Sequence, residues 1–485
     1  MKIEECLNEH NMNQRLLRIR YAVRGPILER ALAIQADLEK GVRKPFKRVI
    51  RANIGDCHAL GQRPITFIRQ VLALATCPSL HMLQDIPEDV KERVREILGE
   101  CVSGSVGSYS PAPGLLLIRK HVAQYLTARD GVSANFNNIY LGSGASDLIK
   151  SVLTLFVEKV DGKPPGVMIP IPQYPLFSGT LSELGLQQVD YYLDEDEGWA
   201  LKYEELERSW RAASEHCSVR ALVVINPGNP TGQVLSRDNI EDIIRFAYKH
   251  NLFILADEVY QENIISKPFH SFKKVMHEMG DPYKQLQLSS FLTCSKGWSA
   301  ECGLRAGVCE LVSLQPRVLT ALEAARSTQQ CASVLGQCVV DCVVRPPAPS
   351  SPSFPLFSSE RDRLRRTLTE RALAAHAAFN SIPGYFCNPI EVTSFVLFKL
   401  KVQCLHFHEL KYRQKQNRRP GLVPDEFYCL RLLEETGVCV VPGSGFGQRP
   451  GSYHFRTTIL HDREEFSYML ACIRRFHLNF IEEYS

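Results

Sequence analysis

The stretch VRALVVINPGNPTGQVLSRDNIEDIIRFAYKHNLFILADEVY (219–260) decides the fold class. It opens on a nearly continuous apolar run, VRALVVINP (219–227), and passes into RDNIEDIIRFAYKH (237–250), whose apolar residues recur at helical spacing. It closes on a second apolar run, LFILADEVY (252–260). Two strands without polar alternation, joined by an amphipathic helix, predict parallel strands in a sheet covered on both faces. Working outward, GVMIPIP (166–172) reads as another such strand, and NNIYLGSG (137–144) as a strand end leading into the helix DLIKSVLTLFV (147–157). From about residue 138 to 310 the chain therefore predicts an α/β domain with a mostly parallel sheet between helices.

Further on, RPPAPSSPSFPLFSS (345–359) cannot extend the helix before it and is expected to be a connection or domain boundary. The segment RDRLRRTLTERALAAHAAF (361–379) reads as helix, as does the C-terminus, where Phe466, Met469, Leu470, Ile473 and Phe476 are expected in the core.

A chain of 485 residues, 45% hydrophobic and 23% charged, has the make-up of a globular protein with two or more domains. Its formal charge of +4 lacks the concentrated positive field that nucleic acid calls for, so an anionic small molecule is the expected partner. The basic run KYRQKQNRR (411–419) reads as a solvated loop. The sixteen cysteines contain no C-x-x-C and are expected to be reduced, mostly buried thiols, with no metal site. The N-terminus MKIEECLNEHNMNQRLL shows no signal-like apolar run, and its glutamates argue against a mitochondrial presequence. A soluble, cytoplasmic protein without membrane contact is the expectation.

Ligands of parallel sheets sit beyond the C-terminal strand ends. There this sequence places Gly144 to Asp147, Gln173 and Tyr174, Asn226 to Thr231, Asp257 to Tyr260, and Thr293 to Lys296. Lys296, in TCSKGW (293–298), offers an amine that can form an imine, although Ser-Lys-Gly alone would equally suit a surface lysine. Other cations and an apolar pocket are expected to lower its pKa. Asp257 follows four apolar residues, so it either caps the next element or pairs with a buried cation. Tyr260 is three residues on, and Asn229 sits in a rigid turn, INPGNPTGQV (225–234).

Gly144, Ala145 and Ser146 open a helix whose free N–H groups can take a phosphate. Arg305, in GLRAG (303–307), would add charge, with Gly303 and Gly307 letting backbone approach. Tyr174 is either a ring-stacking aromatic or core, and Arg456, in YHFRTTIL (453–460), needs an anion, either a substrate carboxylate or a structural ion pair. A Schiff-base lysine, a buried acid, hydroxyl and amide donors, a phosphate cup and an aromatic are together what pyridoxal 5'-phosphate requires.

In order along the chain, these segments resemble the fold-type-I aminotransferases, specifically the alanine aminotransferase family. The likeness also runs through YAVRGPI (21–27), VIRANIGD (49–56), GQRPITF (61–67), IPIPQYPLFS (169–178), VDYYLDE (189–195), FHSFKKV (269–275) and LRLLEETGVCVVPGSGFGQR (430–449). The resemblance implies a large domain with a seven-stranded-type sheet sandwiched by helices, plus a smaller α+β domain. Placed on this chain, 1–80 would be an N-terminal arm with part of the small domain, 81–344 the cofactor domain and 345–485 the C-terminal small domain.

It further implies a homodimer exchanging an amino group between L-alanine and 2-oxoglutarate. Lys296 would carry the cofactor, Asp257 would face its pyridine nitrogen, Asn229 and Tyr260 its ring oxygen, and Tyr174 its ring. Ala145, Ser146, Ser295 and Arg305 would bind phosphate, with Tyr109, in SYSPAPG (108–114), reaching in from the neighbouring subunit. Arg456 and the backbone at Gly55 would take the substrate carboxylate.

Three places depart from the family pattern: Trp298-Ser299-Ala300, Ser327 to Val334, and a shortened stretch between Asn388 and Phe395. They leave open other chemistry on the same fold, such as a C–S lyase or a synthase, or a cofactor-binding paralogue with weak activity.

Overall fold

The computed structural model describes residues 6–19, 21, 25–400 and 423–484. The basic run 411–419 lies outside the described residues. Numbered in chain order, the strands are β1 (Ile50–Arg51), β2 (Ile139–Gly142), β3 (Pro165–Ile171), β4 (Gln187–Tyr192), β5 (Ser218–Ile225), β6 (Phe253–Asp257), β7 (Leu288–Thr293) and β8 (Gly307–Val312). Then follow β9 (Tyr385–Phe386), β10 (Phe395–Leu400), β11 (Val438–Cys439), β12 (Val441–Pro442) and β13 (Tyr453–Thr458).

The large sheet has the order β2-β8-β7-β6-β5-β3-β4. Pairing is parallel from β7 through β6, β5 and β3 to β4, and β8 runs antiparallel to both its neighbours. The apolar run of β5 is continuous because alternate side chains enter opposite cores. Ala221, Val223 and Ile225 pack with Leu148, Ile149 and Leu255, while Leu222 and Val224 pack with Ile240, Ile243 and Ile244 of the helix Arg237–Lys249. The Ser236 hydroxyl caps that helix by accepting from the Asn239 N–H at 3.2 Å. At about 1.5 to 3 kcal/mol for each fully buried aliphatic side chain, these two cores outweigh the exposed ion pairs.

A four-stranded antiparallel sheet, β12-β13-β10-β9, forms a second centre. Its core takes Phe466, Met469, Ile473 and Phe476 from the C-terminal helix Arg463–Tyr484, with Leu470 packed against it, as expected from their spacing. The helix Phe354–Asn380 links the two regions: Phe357 packs beside Phe67 and Val94, and Ala372, Ala375 and Phe379 pack beside Phe398 and Phe455. This corrects the expected connection over 345–359. Only residues 345–353 are irregular, because Pro355 sits in the first helical turn, where a missing N–H costs no helical bond. None of the described cysteines forms a disulfide, and most are buried. No described helix is long and apolar enough to cross a membrane.

Candidate active site

The register of the sheet sets the site. Ile225 lies level with Asp257, and Asp257 with Phe291, so β5, β6 and β7 deliver Asn226, Asp257 and Thr293 to one edge. Beyond that edge lies a cleft of about 500 Å³. It is lined by Gly55, Ala145, Ser146, Tyr174, Asn229, Asp257, Tyr260, Ser295, Lys296, Arg305 and Arg456, so every predicted site residue except Tyr109 converges there. Tyr109 is 75% exposed and does not line the cleft.

At the mouth, Arg305 is exposed and fans over neutral acceptors. Its Nη1 donates to Ser295 Oγ at 3.3 Å and Cys302 O at 3.2 Å, and its Nη2 to Ser143 O at 3.2 Å and Ser146 Oγ at 3.4 Å. A side chain at Gly144 would run into this guanidinium, and a Cβ at Gly307 would sit 2.5 Å from the Ala145 nitrogen. Gly303 is different from the expectation: nothing lies within 4 Å of a Cβ there, so close approach does not require that glycine.

On the floor, Arg456 is buried in β13 by pairing with β10 and β12. Its Nη1 donates to Asn229 Oδ1 at 3.0 Å and its Nη2 to the Asn53 carbonyl at 3.0 Å. Among the described residues no carboxylate pairs with it, and burial pulls its pKa below the ordinary value. Of the two expectations for Arg456, a structural ion pair within the chain is therefore the one not met. Asn229 Nδ2 also donates to the Tyr260 hydroxyl at 3.2 Å, joining three of the expected residues in one chain of hydrogen bonds. Asp257 is buried and accepts a single long bond from the Val259 N–H, 3.4 Å, and burial pushes its pKa up to about 7.

Lys296 Nζ lies 3.4 Å from the Gly55 carbonyl and 5.4 Å from the Tyr260 ring centroid. The expected lowering of its pKa is not met in this chain. Burial does lower it, but the neighbouring acidic groups Tyr260, Cys302 and Cys57 outweigh burial and the smaller effect of Arg456, leaving the amine raised.

Residues that the motifs did not single out complete the lining. Tyr21 bonds the Tyr174 hydroxyl through its own at 2.7 Å, ring to ring edge-on, and Asp56, Cys302 and Phe395 line the same cleft. Tyr21 lies within YAVRGPI, a string that carries no chemical signal beyond the resemblance. The departures from the family pattern lie mostly elsewhere. Trp298 packs edge-on against Phe357, 5.2 Å between centroids, residues 327–334 join two helices, and of 388–395 only Phe395 reaches the lining.

The family model for aminotransferase class I and II matches residues 70–473. Alanine aminotransferase 1 of Bos taurus and that of Homo sapiens are each 50% identical to the chain, covering 99% of it and 97% and 96% of their own lengths. Among solved structures, the alanine aminotransferase from Pyrococcus furiosus superposes with a TM-score of 0.74 at 20% identity, over 96% of this chain and 99% of that one, and speaks to the fold alone. With a family match across most of its length and relatives of this identity, the chain belongs to the class I and II aminotransferases, a family of pyridoxal-phosphate-dependent enzymes, among the alanine aminotransferases.

Proposed function

We propose that the chain moves an amino group between L-alanine and 2-oxoglutarate, giving pyruvate and L-glutamate. One observation carries this reading: a buried arginine with only neutral partners, Arg456, opens into the same cleft as Lys296. The substrate pair is supported by the identity with alanine aminotransferases.

The residues present fit pyridoxal phosphate. Gly144 and Gly307 keep a cup open beside Arg305, Ser146, Ser295 and the Ala145 N–H, suited to a phosphate. Asp257, buried without a bonded cation, suits a protonated pyridine nitrogen, whose charge would favour its ionised form. Asn229 and Tyr260 present an amide and a hydroxyl for the ring oxygen, and Tyr174, held by Tyr21, presents an aromatic face. When bound, the cofactor serves as the electron sink for the substrate carbanion.

The chain's own residues supply the rest. Arg456 turns both Nη groups to the α-carboxylate of either substrate, assisted by backbone at Gly55, and so orients the α-carbon. Lys296 Nζ, once free of the cofactor, takes the α-proton as base and returns it as acid. Tyr109, exposed in the single chain, fits a role in the neighbouring subunit's cleft and hence a homodimer. The division into a cofactor domain and a small domain built from both chain ends belongs to this proposal, supported by the separate cores that the helix Phe354–Asn380 links. Ile65 to Ala75 pack in the same core as Val90 and Val94, so the cores part between Ala52 and Ile65 and within that helix rather than at residues 80 and 345.

The test is to mix the purified, cofactor-loaded protein with L-alanine and 2-oxoglutarate. Equal yields of pyruvate and L-glutamate are expected. A protein that holds cofactor yet forms no glutamate overturns the proposal.

A further inference from the structure

We propose that a cavity walled by Arg63, Arg363 and Arg371 is a second binding site, for a small polyvalent oxyanion. Its volume is about 390 Å³, and it shares no lining residue with the amino-acid cleft. That volume falls in the range of about 300 to 1,000 Å³ typical of small-molecule sites.

Three segments build it. The loop after Gly55 contributes Gln62 and Arg63, the Phe354–Asn380 helix contributes Glu360, Arg363 and Arg371 along one side, and the turn after β13 contributes Asp462. The charges do not cancel. Three guanidinium groups face two carboxylates, which leaves an excess of positive charge; both carboxylates accept hydrogen bonds from other segments, and Asp462 acts on Arg371 only through space. Glu360 accepts from the Thr66 N–H at 2.8 Å and its hydroxyl at 2.6 Å, and Asp462 caps the C-terminal helix by accepting from the Glu465 N–H at 2.8 Å.

Among the described residues, none of the three arginines has a carboxylate within ion-pair distance. Arg371 donates Nη1 to the Leu460 carbonyl at 2.8 Å, while its Nε and the Gln62 Nε2 are shut off from solvent without an acceptor. Donors therefore outnumber acceptors on this wall, and guanidinium forks match the paired oxygens of phosphoryl and carboxylate groups. Leu368 and Leu460 pack with Cys57 and Ala300 into a small apolar layer that backs the cavity, which keeps its anion apart from Lys296.

The experiment is calorimetric titration of the cofactor-loaded enzyme at low ionic strength with inorganic pyrophosphate and, separately, with citrate. The proteins compared are the wild type, the Arg63→Glu/Arg363→Glu pair, the milder Arg63→Gln/Arg363→Gln pair, and Arg456→Leu. Saturable binding of one anion per chain is expected. Its Kd rises about tenfold or more in the glutamate pair, rises less in the glutamine pair, and stays within about twofold in Arg456→Leu. A response to pyrophosphate assigns a phosphoryl ligand, and a response to citrate assigns a polycarboxylate. The proposal is overturned if neither anion binds at millimolar concentration, if both arginine pairs bind like wild type, or if Arg456→Leu abolishes binding and so places the anion in the amino-acid cleft.

Discussion

Two arginines stand at opposite ends of one cleft, and each holds a charge without a carboxylate. Arg305 at the mouth is exposed, and its four acceptors are hydroxyl and carbonyl oxygens. Arg456 on the floor is 6% exposed, and its two acceptors are an amide and a carbonyl. The chemistry of the donors is the same and the surroundings are not. Water can replace a lost partner at the mouth, whereas on the floor each group is tied to protein and an arriving anion meets a weakly screened charge. Floor substitutions should therefore cost more than mouth substitutions.

The sharpest case is Lys296, half-buried at the floor with its amine 3.4 Å from Gly55 O. Lys296→Ala removes the group that takes and returns the α-proton, and turnover should fall by about 10³-fold or more while cofactor stays bound without a covalent link. Absorbance spectra with single-turnover assays check both halves. Arg456→Leu comes next. It deletes two charge-assisted bonds to the carboxylate, about 1.5 to 3 kcal/mol each, so kcat/KM should drop by about 10²-fold or more for the amino acid and the oxo acid alike. An effect on only one substrate would break the assignment of a shared carboxylate site.

Asp257 tests the floor through pH. In the cofactor-free chain its pKa, about 7 against an ordinary 3.8, is raised by burial. A carboxyl with a raised folded pKa lends its full stability below the ordinary value and loses it as pH climbs through the folded one. The cofactor-free wild type should thus lose stability between about pH 4 and pH 7, by roughly 4 kcal/mol at most. Asp257→Asn removes that dependence, so its Tm advantage over wild type, both without cofactor, should be absent at low pH and grow up to neutrality. A pH-independent difference would show that burial of the acid is not the cause.

At the mouth, Arg305→Ala should weaken cofactor affinity by about ten- to thirtyfold, with less effect on turnover at saturating cofactor. Equilibrium dialysis of the cofactor measures it. A loss as large as that of Arg456→Leu would erase the contrast between the two ends.

What the sequence showed of this arrangement follows the same divide between local and distant causes. β3, β5 and β6 are legible because both faces of each are buried, and their ends carry the polar residues of the cleft. β7 and β8 are harder to read. Ser289 and Ser290 interrupt β7, and Glu310 sits within β8, stabilised by Lys273, a partner 37 residues away. β4 alternates at the sheet edge, where exposed Gln187 and Gln188 hide the pattern. Tyr21 and Phe395 enter the cleft through tertiary packing, with no local spacing to announce them. The direction of the Lys296 pKa is hidden from the sequence for the same reason: Tyr260, Cys302 and Cys57, which raise it, are brought to the amine by tertiary folding.

The smallest effect should come from a departure in the family pattern that looks, in sequence, close to the catalytic lysine. Trp298 is two residues from Lys296, yet its ring stands edge-on to Phe357 at 83° and packs into the core beside the helix Phe354–Asn380. Its neighbour Ser299 directs its hydroxyl to backbone, donating to Cys294 O at 2.9 Å and to Lys296 O at 3.2 Å, and Ala300 joins the layer with Leu368 and Leu460. The substitution Trp298→Tyr should leave kcat/KM within about twofold. The smaller ring should lower stability by no more than about 1.5 kcal/mol, read from thermal unfolding with cofactor bound. A tenfold change in kcat/KM would mean that the core behind the lysine governs the floor of the cleft. Distance from solvent would then no longer explain why one end of the cleft is more sensitive than the other.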